Sequence, residues 1–276
     1  MKIPYPKPSE QIRIATVLSC FDELIENKKR QKDILEATAS AIFKNWFVDF
    51  EPFKDGGFVE SELGEIPVGW DIRPIGELAD VRNGSSYTGE EKFEDQVEGS
   101  HIFITLNNAI EGGGFKPVYA WIKSDRLKEY HFLEEGDLII PNTEQTKDER
   151  LLGSPGIVFF PPEYVDKKGV YSHHITKISP HSEEYKLFLY FLLRFTRENS
   201  ASFATGTGVL GMDIENFRKN KLVIVPPSRV IRRFRSIIEP LVQKVIVNQK
   251  QIMILRRVRD DLLPLLVFGK LRVEEV

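Results

Sequence analysis

The chain has 276 residues, of which 41% are hydrophobic, so it has enough apolar surface for a large core and disorder is not expected. Its 38 Lys and Arg against 41 Asp and Glu give a net charge of -3, which does not mark the whole chain as a nucleic-acid binder. The single cysteine, Cys20, excludes an internal disulfide framework and a cysteine-based metal site. The opening segment lacks the apolar core of a secretion signal, and no stretch reaches the roughly 20 apolar residues of a membrane span, so a cytoplasmic protein is predicted.

The first predicted element is a long helix that begins at Ser9, a favourable N-cap residue, runs to about Phe47 and cannot continue past Pro52. Apolar residues recur along it at alternating spacings of four and three, which predicts a heptad seam with polar Lys28 and Gln31 midway. The seam residues assigned to this helix are Val17, Phe21, Leu24, Leu35 and Ile42.

The middle of the chain, from about Gly64 to Val225, changes to short apolar runs broken by turn residues, a pattern typical of strands. The predicted strands are residues 101–105, 137–140, 156–160, 174–178 and 221–225. An amphipathic helix over about 182–199 and a shorter one over 212–219 interrupt them. This segment is therefore predicted to be a mixed α/β domain.

A second long helix is predicted after Pro226-Pro227-Ser228, with Gly269 closing it. Its seam residues are Ile238, Leu241, Val245, Asn248, Ile252, Leu255 and Leu262. Each long helix alone could pack on its own domain, as most amphipathic helices do. However, two helices of about 35 residues reach roughly 50 Å each, which exceeds the roughly 30 Å width of a domain this size. The predicted fold class is therefore α+β, with one mixed domain flanked by two long helices that pair as a coiled coil.

Catalytic motifs are weak in this sequence. A methyltransferase carries an Asn or Asp before a Pro-Pro-aromatic run, and residues 160–163 (FPPE) and 225–228 (VPPS) lack both features. A nuclease site could combine Glu184 and Lys186 with Asp166 upstream, because two carboxylates and a lysine can hold Mg²⁺ near a phosphate. Residues two apart on a helix do not face each other, which favours a solvent-exposed role for Glu184 and Lys186.

Two further motifs invite ligand-binding interpretations. Neighbouring side chains on a strand point to opposite faces, so His173 and His174 are predicted to be structural and not to share a metal ion. Residues 206–211 (GTGVLG) have the spacing of a dinucleotide loop but follow a helix, so a flexible loop is predicted there. No catalytic residue, metal or cofactor is predicted.

Charge is unevenly distributed along the chain. Residues 64–225 hold 18 Lys and Arg against 25 Asp and Glu, whereas residues 226–272 hold 11 against 3. The basic surface therefore lies on the last helix, where arginines either follow DNA phosphates or form a solvated or subunit-docking face. Composition leaves both interpretations open.

Several runs resemble the specificity (S) subunits of type I restriction-modification systems. Residues 34–52 (ILEATASAIFKNWFVDFEP) resemble the central conserved region of that family, residues 61–70 the entry to its second target-recognition domain, and residues 255–273 its closing conserved region. Such subunits usually carry two target-recognition domains, so this chain resembles a C-terminal half. The resemblance implies a conserved helical region over 1–60, a target-recognition domain over 61–226 and a second conserved helical region over 227–276.

The resemblance implies a non-catalytic subunit that binds double-stranded DNA, joins methyltransferase (M) subunits and, through them, restriction (R) subunits. We expect it to read one half-site and to pair with a second copy through its helices. A DNA nuclease and a structural adaptor without DNA readout stay open as alternatives. Residues chosen as DNA contacts for their type and loop placement are Arg82, Asn83, Ser85, Tyr87, Asn107, Asn108, Asn142, Thr143, Gln145, Thr146, Lys147, Lys167, Lys168, Thr205 and Thr207.

Overall fold

The computed structural model describes residues 6–144, 151–164, 167–206 and 210–273. Its α-helices are α1 (Pro8–Phe47), α2 (Lys186–Phe195), α3 (Arg197–Ala201), α4 (Ile214–Asn220) and α5 (Ser228–Val267). Both long predicted helices are present at nearly the predicted bounds. The helix predicted over 182–199 is broken at Thr196, whose non-helical backbone separates α2 from α3. None of the described helices has the length and apolar composition that crossing a membrane requires.

The strands are short, and most pair antiparallel. They are β1 (Phe58–Val59), β2 (Ile66–Pro67), β3 (Asp71–Pro74), β4 (Ala79–Asn83), β5 (Lys92–Phe93), β6 (His101–Ile104), β7 (Ala120–Ile122), β8 (Phe132–Leu133), β9 (Leu138–Pro141), β10 (Thr143–Glu144), β11 (Gly156–Ile157), β12 (Gly169–Tyr171), β13 (Ile175–Pro180), β14 (Ala204–Thr205), β15 (Leu210–Met212) and β16 (Leu222–Val225). The larger sheets have the orders β11-β9-β13-β4 and β5-β7-β6-β12-β8, and among the strands in the described residues β6 and β12 are the pair that runs parallel.

By its internal contacts the chain divides into two compact units: a helical unit, residues 1–41 with 240–276, and a mixed unit, residues 42–239. Both divisions fall inside long helices, because the C-terminal end of α1 and the N-terminal end of α5 pack into the mixed unit. Of the domain boundaries inferred from sequence, 226/227 lies just before α5, whereas 60/61 lies beyond the end of α1, between β1 and β2. Both stay predictions.

An aromatic cluster forms the core where these helix ends meet α2. The ring centroids of Phe47 and Phe234 lie 4.9 Å apart, and those of Phe47 and Phe188 lie 5.2 Å apart. Phe43 stacks on Phe191 at 5.7 Å. Aromatic pairs at such distances add about 0.5–1.5 kcal/mol each beyond the burial of their area. Phe43 and Phe47 of the 34–52 run therefore have a structural role in the core of the mixed unit.

In the helical unit α1 and α5 lie antiparallel. Arg259 Nη1 is 2.6 Å from Asp22 Oδ1, and Asn248 Nδ2 donates to Gln31 Oε1 at 3.4 Å, so residue numbers rise along one helix as they fall along the other. Asn248 is fully buried. These polar residues of the two predicted seams thus contact each other, and a polar seam residue can fix the register of a helix pair.

The seam on α5 is buried or half-buried at each assigned position from Ile238 to Leu262. On α1 the assigned Val17, Phe21, Leu35 and Ile42 are half-buried, whereas Leu24 is 50% exposed and its neighbour Ile25 is 4% exposed. The structure corrects the assignment of Leu24. Two overlapping series with spacings of four and three run along α1, and the series through Ile25 is the one that faces the partner helix.

Candidate nucleic-acid interface

Polar side chains collect at one end of the four-stranded sheet, where β4 and β9 end and β13 begins. Thr176 of β13 lies opposite Asn83 of β4, and Ile175 lies opposite Pro141 of β9. This arrangement brings together segments that are far apart in the sequence. We call the resulting group the polar edge; it comprises Asn83, Asn142, Thr143, His173, His174 and Thr176.

Asn142 is the hub of the polar edge. It is 5% exposed, and its Nδ2 donates to Asn83 Oδ1 at 3.0 Å, to the His173 carbonyl at 2.9 Å and to Thr176 Oγ1 at 2.9 Å. Thr143 Oγ1 donates to Asn142 Oδ1 at 2.8 Å. With both its oxygen and its nitrogen engaged, Asn142 has no free group for a base. The prediction that Asn142 contacts DNA is therefore corrected to a structural role.

The backbone at the polar edge is packed closely at Gly84. A Cβ atom there would lie 2.1 Å from the Tyr171 carbonyl oxygen, so only glycine fits. The next residue, Ser85, forms two backbone hydrogen bonds: its N donates to the Tyr171 carbonyl at 2.8 Å, and its carbonyl accepts from His173 N at 2.9 Å. The loop after β4 is thereby fixed against the turn before β13.

The two histidines lie in that turn and not on a strand, which corrects the prediction of opposite-facing side chains. Their ring centroids are 3.8 Å apart, and His174 Nδ1 is 3.0 Å from Thr143 Oγ1. Burial, followed by the neighbouring His173, holds the pKa of His174 below its usual value. Among the described residues no cluster of His, Cys, Asp and Glu could hold a metal ion. The pair therefore adds two half-buried nitrogen-bearing rings to the polar edge.

The lowered pKa of His174 predicts a pH dependence of stability. Because the folded state disfavours the proton, the unfolded chain binds more protons once the pH falls through about 6.5, and stability is lost in that direction. His131, whose pKa burial also lowers, contributes with the same sign. Urea unfolding between pH 7.5 and 5.5 should show a smaller loss for His174→Gln than for the parent chain. Equal losses would contradict this assignment.

Two other predicted contacts, Thr143 and Thr205, lie in one small sheet. Both pair with Gly211 of β15, Thr143 from β10 on one side and Thr205 from β14 on the other. Thr205 Oγ1 donates to the Gly211 carbonyl at 3.2 Å. The sequence predicted loops at four residues that lie on strands: Arg82, Asn83, Thr143 and Thr205. These strands were missed because β10 and β14 have only two residues each and β4 is largely polar, so none of them shows a clear apolar pattern.

The cations chosen as DNA contacts differ in how far other residues already neutralise them. Arg82 is exposed and forms no ion pair with a described residue. Lys168 Nζ is 2.9 Å from Glu129 Oε1 and 3.4 Å from Glu134 Oε1, so two carboxylates oppose its charge. Lys167 is exposed, with its Nζ 5.2 Å from the Tyr164 ring centre. Arg82 and Lys167 are therefore better placed than Lys168 to meet a phosphate.

Asn108 and Ser85 also turn out to be structural. Asn108 is 1% exposed, accepts from Thr105 N at 2.8 Å and donates to the Lys116 and Val118 carbonyls at 3.1 and 2.7 Å. Ser85 is 3% exposed and donates to the Ser86 carbonyl at 3.1 Å. Burial and engaged hydrogen bonds correct the DNA-contact prediction for both.

The remaining predicted DNA contacts differ in exposure, and some lie outside the described residues. Asn107, next to Asn108 on the short 3₁₀ turn Leu106–Asn108, is exposed. Tyr87 is half-buried, with its ring 4.8 Å from that of Phe103 and 5.8 Å from that of His173. Gln145, Thr146, Lys147 and Thr207 lie outside the described residues.

The residues considered for a nuclease site do not assemble. Glu184 lies 3.7 Å from Arg232, and Lys186 pairs with Glu183 at 2.8 Å, so each is engaged elsewhere. Asp166 lies outside the described residues. The side-chain contacts of Glu184 and Lys186 therefore give no support to metal-dependent cleavage.

Comparisons with known proteins point to one family. A model described as the type I restriction modification DNA specificity domain matches residues 67–253. The chain is 39% identical over 282 residues to the type I restriction enzyme MjaIX specificity subunit of Methanocaldococcus jannaschii, covering 100% of this chain and 62% of that protein. It is 22% identical over 333 residues to the HindI specificity subunit of Haemophilus influenzae, covering 98% and 69%.

The fold has a solved counterpart. The structure of a type I restriction-modification system S subunit from M. genitalium matches with a TM-score of 0.59 at 16% identity, covering 98% of this chain and 62% of that one. The chain thus spans less than two thirds of the length of this subunit and of the M. jannaschii relative.

Proposed function

Because this chain belongs to the family of type I restriction-modification DNA specificity domains, we propose that it is a non-catalytic subunit that reads one half of a DNA target in the cytoplasm. In this proposal it also binds methyltransferase subunits through its helices and, through them, restriction subunits. The observation that carries DNA reading is the polar edge, which lies inside the matched residues and gathers hydrogen-bonding groups from three separate segments. Base edges are read by such donors and acceptors.

We assign reading to the accessible groups around the hub. Asn83 is exposed, and Thr143, His173 and His174 are half-buried. Arg82, on the strand that ends at Asn83, forms no ion pair within the described residues and supplies a positive charge for a phosphate. Hydrogen bonds from the buried Asn142 and Thr176 hold these groups in place. The histidines were not among the residues that sequence suggested, because a strand was expected there.

Selection from random duplex oligonucleotides, with the methyltransferase subunit present, tests this function directly. We expect one short motif to be enriched. If two copies of the chain pair about a two-fold axis, the motif should recur as an inverted repeat. Co-purification with the methyltransferase subunit but no enriched motif would instead identify a structural adaptor.

The chain alone should bind DNA weakly. Residues 64–225 carry more Asp and Glu than Lys and Arg, 25 against 18, and phosphate neutralisation supplies most sequence-independent affinity. Fluorescence anisotropy with duplex DNA at physiological salt should give a Kd of about 10⁻⁶ M or weaker for the isolated chain. Addition of the methyltransferase subunit should tighten it. Nanomolar binding by the chain alone would contradict this expectation.

We propose that two copies associate through the helical unit. Besides its buried seam, α5 carries a second apolar stripe at spacings of seven, four and seven: Val247, Ile254, Val258 and Leu265, which are 43%, 47%, 38% and 39% exposed. Two adjacent stripes make an apolar face wider than one partner helix covers. A second helix pair would cover it in a four-helix arrangement and would supply a second recognition domain.

A further inference from the structure

The first three turns of α5 carry four arginines, and only two of them are neutralised. Arg232 lies 3.7 Å from Glu184, and Arg235 lies 2.8 Å from Glu239. Arg229 and Arg233 are exposed and form no ion pair with any residue that the structure describes. They are four residues apart on the same helix face, and like charges at this spacing repel each other and destabilise the helix. An anion held between them would remove that repulsion.

The two unpaired arginines line a cavity of about 420 Å³ whose other walls are apolar. These walls are Trp46, Pro52, Phe53 and Val230. The Arg233 guanidinium is 5.8 Å from the centre of the Trp46 ring, a distance at which cation and ring attract each other. We call this cavity, with its six lining residues, the arginine pocket.

We propose that the arginine pocket receives an acidic segment of the methyltransferase subunit in which a carboxylate side chain adjoins a large apolar one. The carboxylate pairs with Arg229 and Arg233, and the apolar side chain fills the space against Trp46 and Phe53. Charge complementarity selects an acidic partner. The apolar walls favour a protein segment over a DNA backbone, because phosphates and sugars gain little from an aromatic pocket. This inference rests on the proposed function and names where and how that subunit docks.

Binding measurements with purified methyltransferase subunit and the full chain test the pocket. Arg233→Gln should weaken the complex roughly tenfold, the scale of one charge-assisted hydrogen bond, and Arg229→Gln with Arg233→Gln should weaken it further. The matched control is Arg232→Gln, which removes the same charge one residue away but breaks only a contact with Glu184. It should change the Kd by less than about twofold, the scale of an exposed ion pair. Added salt should raise the Kd of the wild-type complex more than the Kd of the complex with the double variant.

The outcomes separate this inference from the proposed function. If the wild-type chain binds the methyltransferase subunit and Arg229→Gln with Arg233→Gln leaves that affinity unchanged, the docking site is overturned and the proposed function is not. Equal losses for Arg232→Gln and Arg233→Gln overturn it too, because they indicate a general charge effect. Unchanged affinity for the methyltransferase subunit with weaker DNA binding by the complex identifies a phosphate contact and also overturns it. No binding by the wild-type chain overturns the proposed function together with this docking site.

Discussion

Replacing Ile254 and Val258 by lysine should convert a self-associated chain into a monomer. Both residues belong to the exposed stripe on α5, and neither is a residue of the buried seam. They are 47% and 38% exposed, so roughly half of each side chain is still available for burial. We therefore expect the helical unit to stay folded while its outer face loses its partner.

The magnitude follows from burial. Fully burying a Val or Ile side chain contributes about 1.5–3 kcal/mol, so the remaining half contributes about 1 kcal/mol. In an isologous dimer each residue counts twice, which makes four contributions and about 4 kcal/mol in total. That corresponds to a roughly 1000-fold increase in the dimer Kd. The charge repulsion of four lysines adds to it.

Light scattering on a size-exclusion column gives the mass of each form, and circular dichroism checks helix content. Val59→Lys with Val68→Lys is the matched control, since it makes the same charge change on exposed residues of the mixed unit. The control should keep the mass of the parent chain. A parent chain that is strictly monomeric at micromolar concentration would contradict self-association, and an unchanged mass for the lysine variant would contradict the stripe.

Elements with a strong local pattern were predictable from sequence. The long helices have continuous apolar spacing and clear start signals at Ser9 and Pro227-Ser228, and both were found within two residues of their observed N-terminal ends. The family resemblance is confirmed by the family model, which matches residues 67–253, and by the M. jannaschii relative, which is 39% identical over the whole chain and so includes the 34–52 and 255–273 runs. Strand β4 was missed because Asp80, Arg82 and Asn83 are polar and exposed and so dilute the apolar pattern.

The polar edge could not be derived because its hydrogen bonds join distant residues. Asn142 meets Asn83 across 59 positions and Thr176 across 34. Residue type alone cannot separate an exposed asparagine such as Asn83 from a buried hub such as Asn142. The spacing on α1 likewise allowed two seams, and only the burial in the folded chain distinguishes Ile25 from Leu24. Such choices are made by packing between segments and not by local preference.

The hub itself gives the second large prediction, for Asn142→Leu. Leucine has the same branched shape with four side-chain heavy atoms but leaves Thr176 Oγ1 and the His173 carbonyl without the shared donor. The exposed Asn83 Oδ1 keeps the Thr176 hydroxyl as a donor at 2.6 Å. Buried partners left unsatisfied cost about 1–3 kcal/mol each where water cannot replace the donor. We expect the free energy of unfolding to fall by about 2–3 kcal/mol, measured by urea unfolding.

Recognition should suffer as well as stability, because the same amide positions groups from three segments that we propose read the DNA. Losing one base contact costs about 1–3 kcal/mol, so two misplaced contacts reduce the preference for the selected sequence over a scrambled one by about 100-fold. Leu193→Ala is the control: it removes a fully buried α2 side chain and costs a similar 2–5 kcal/mol without touching the polar edge. At a temperature where both variants are folded, the control should keep the parent preference. If both variants lose it equally, Asn142 acts only through stability and the polar edge is not the reading surface.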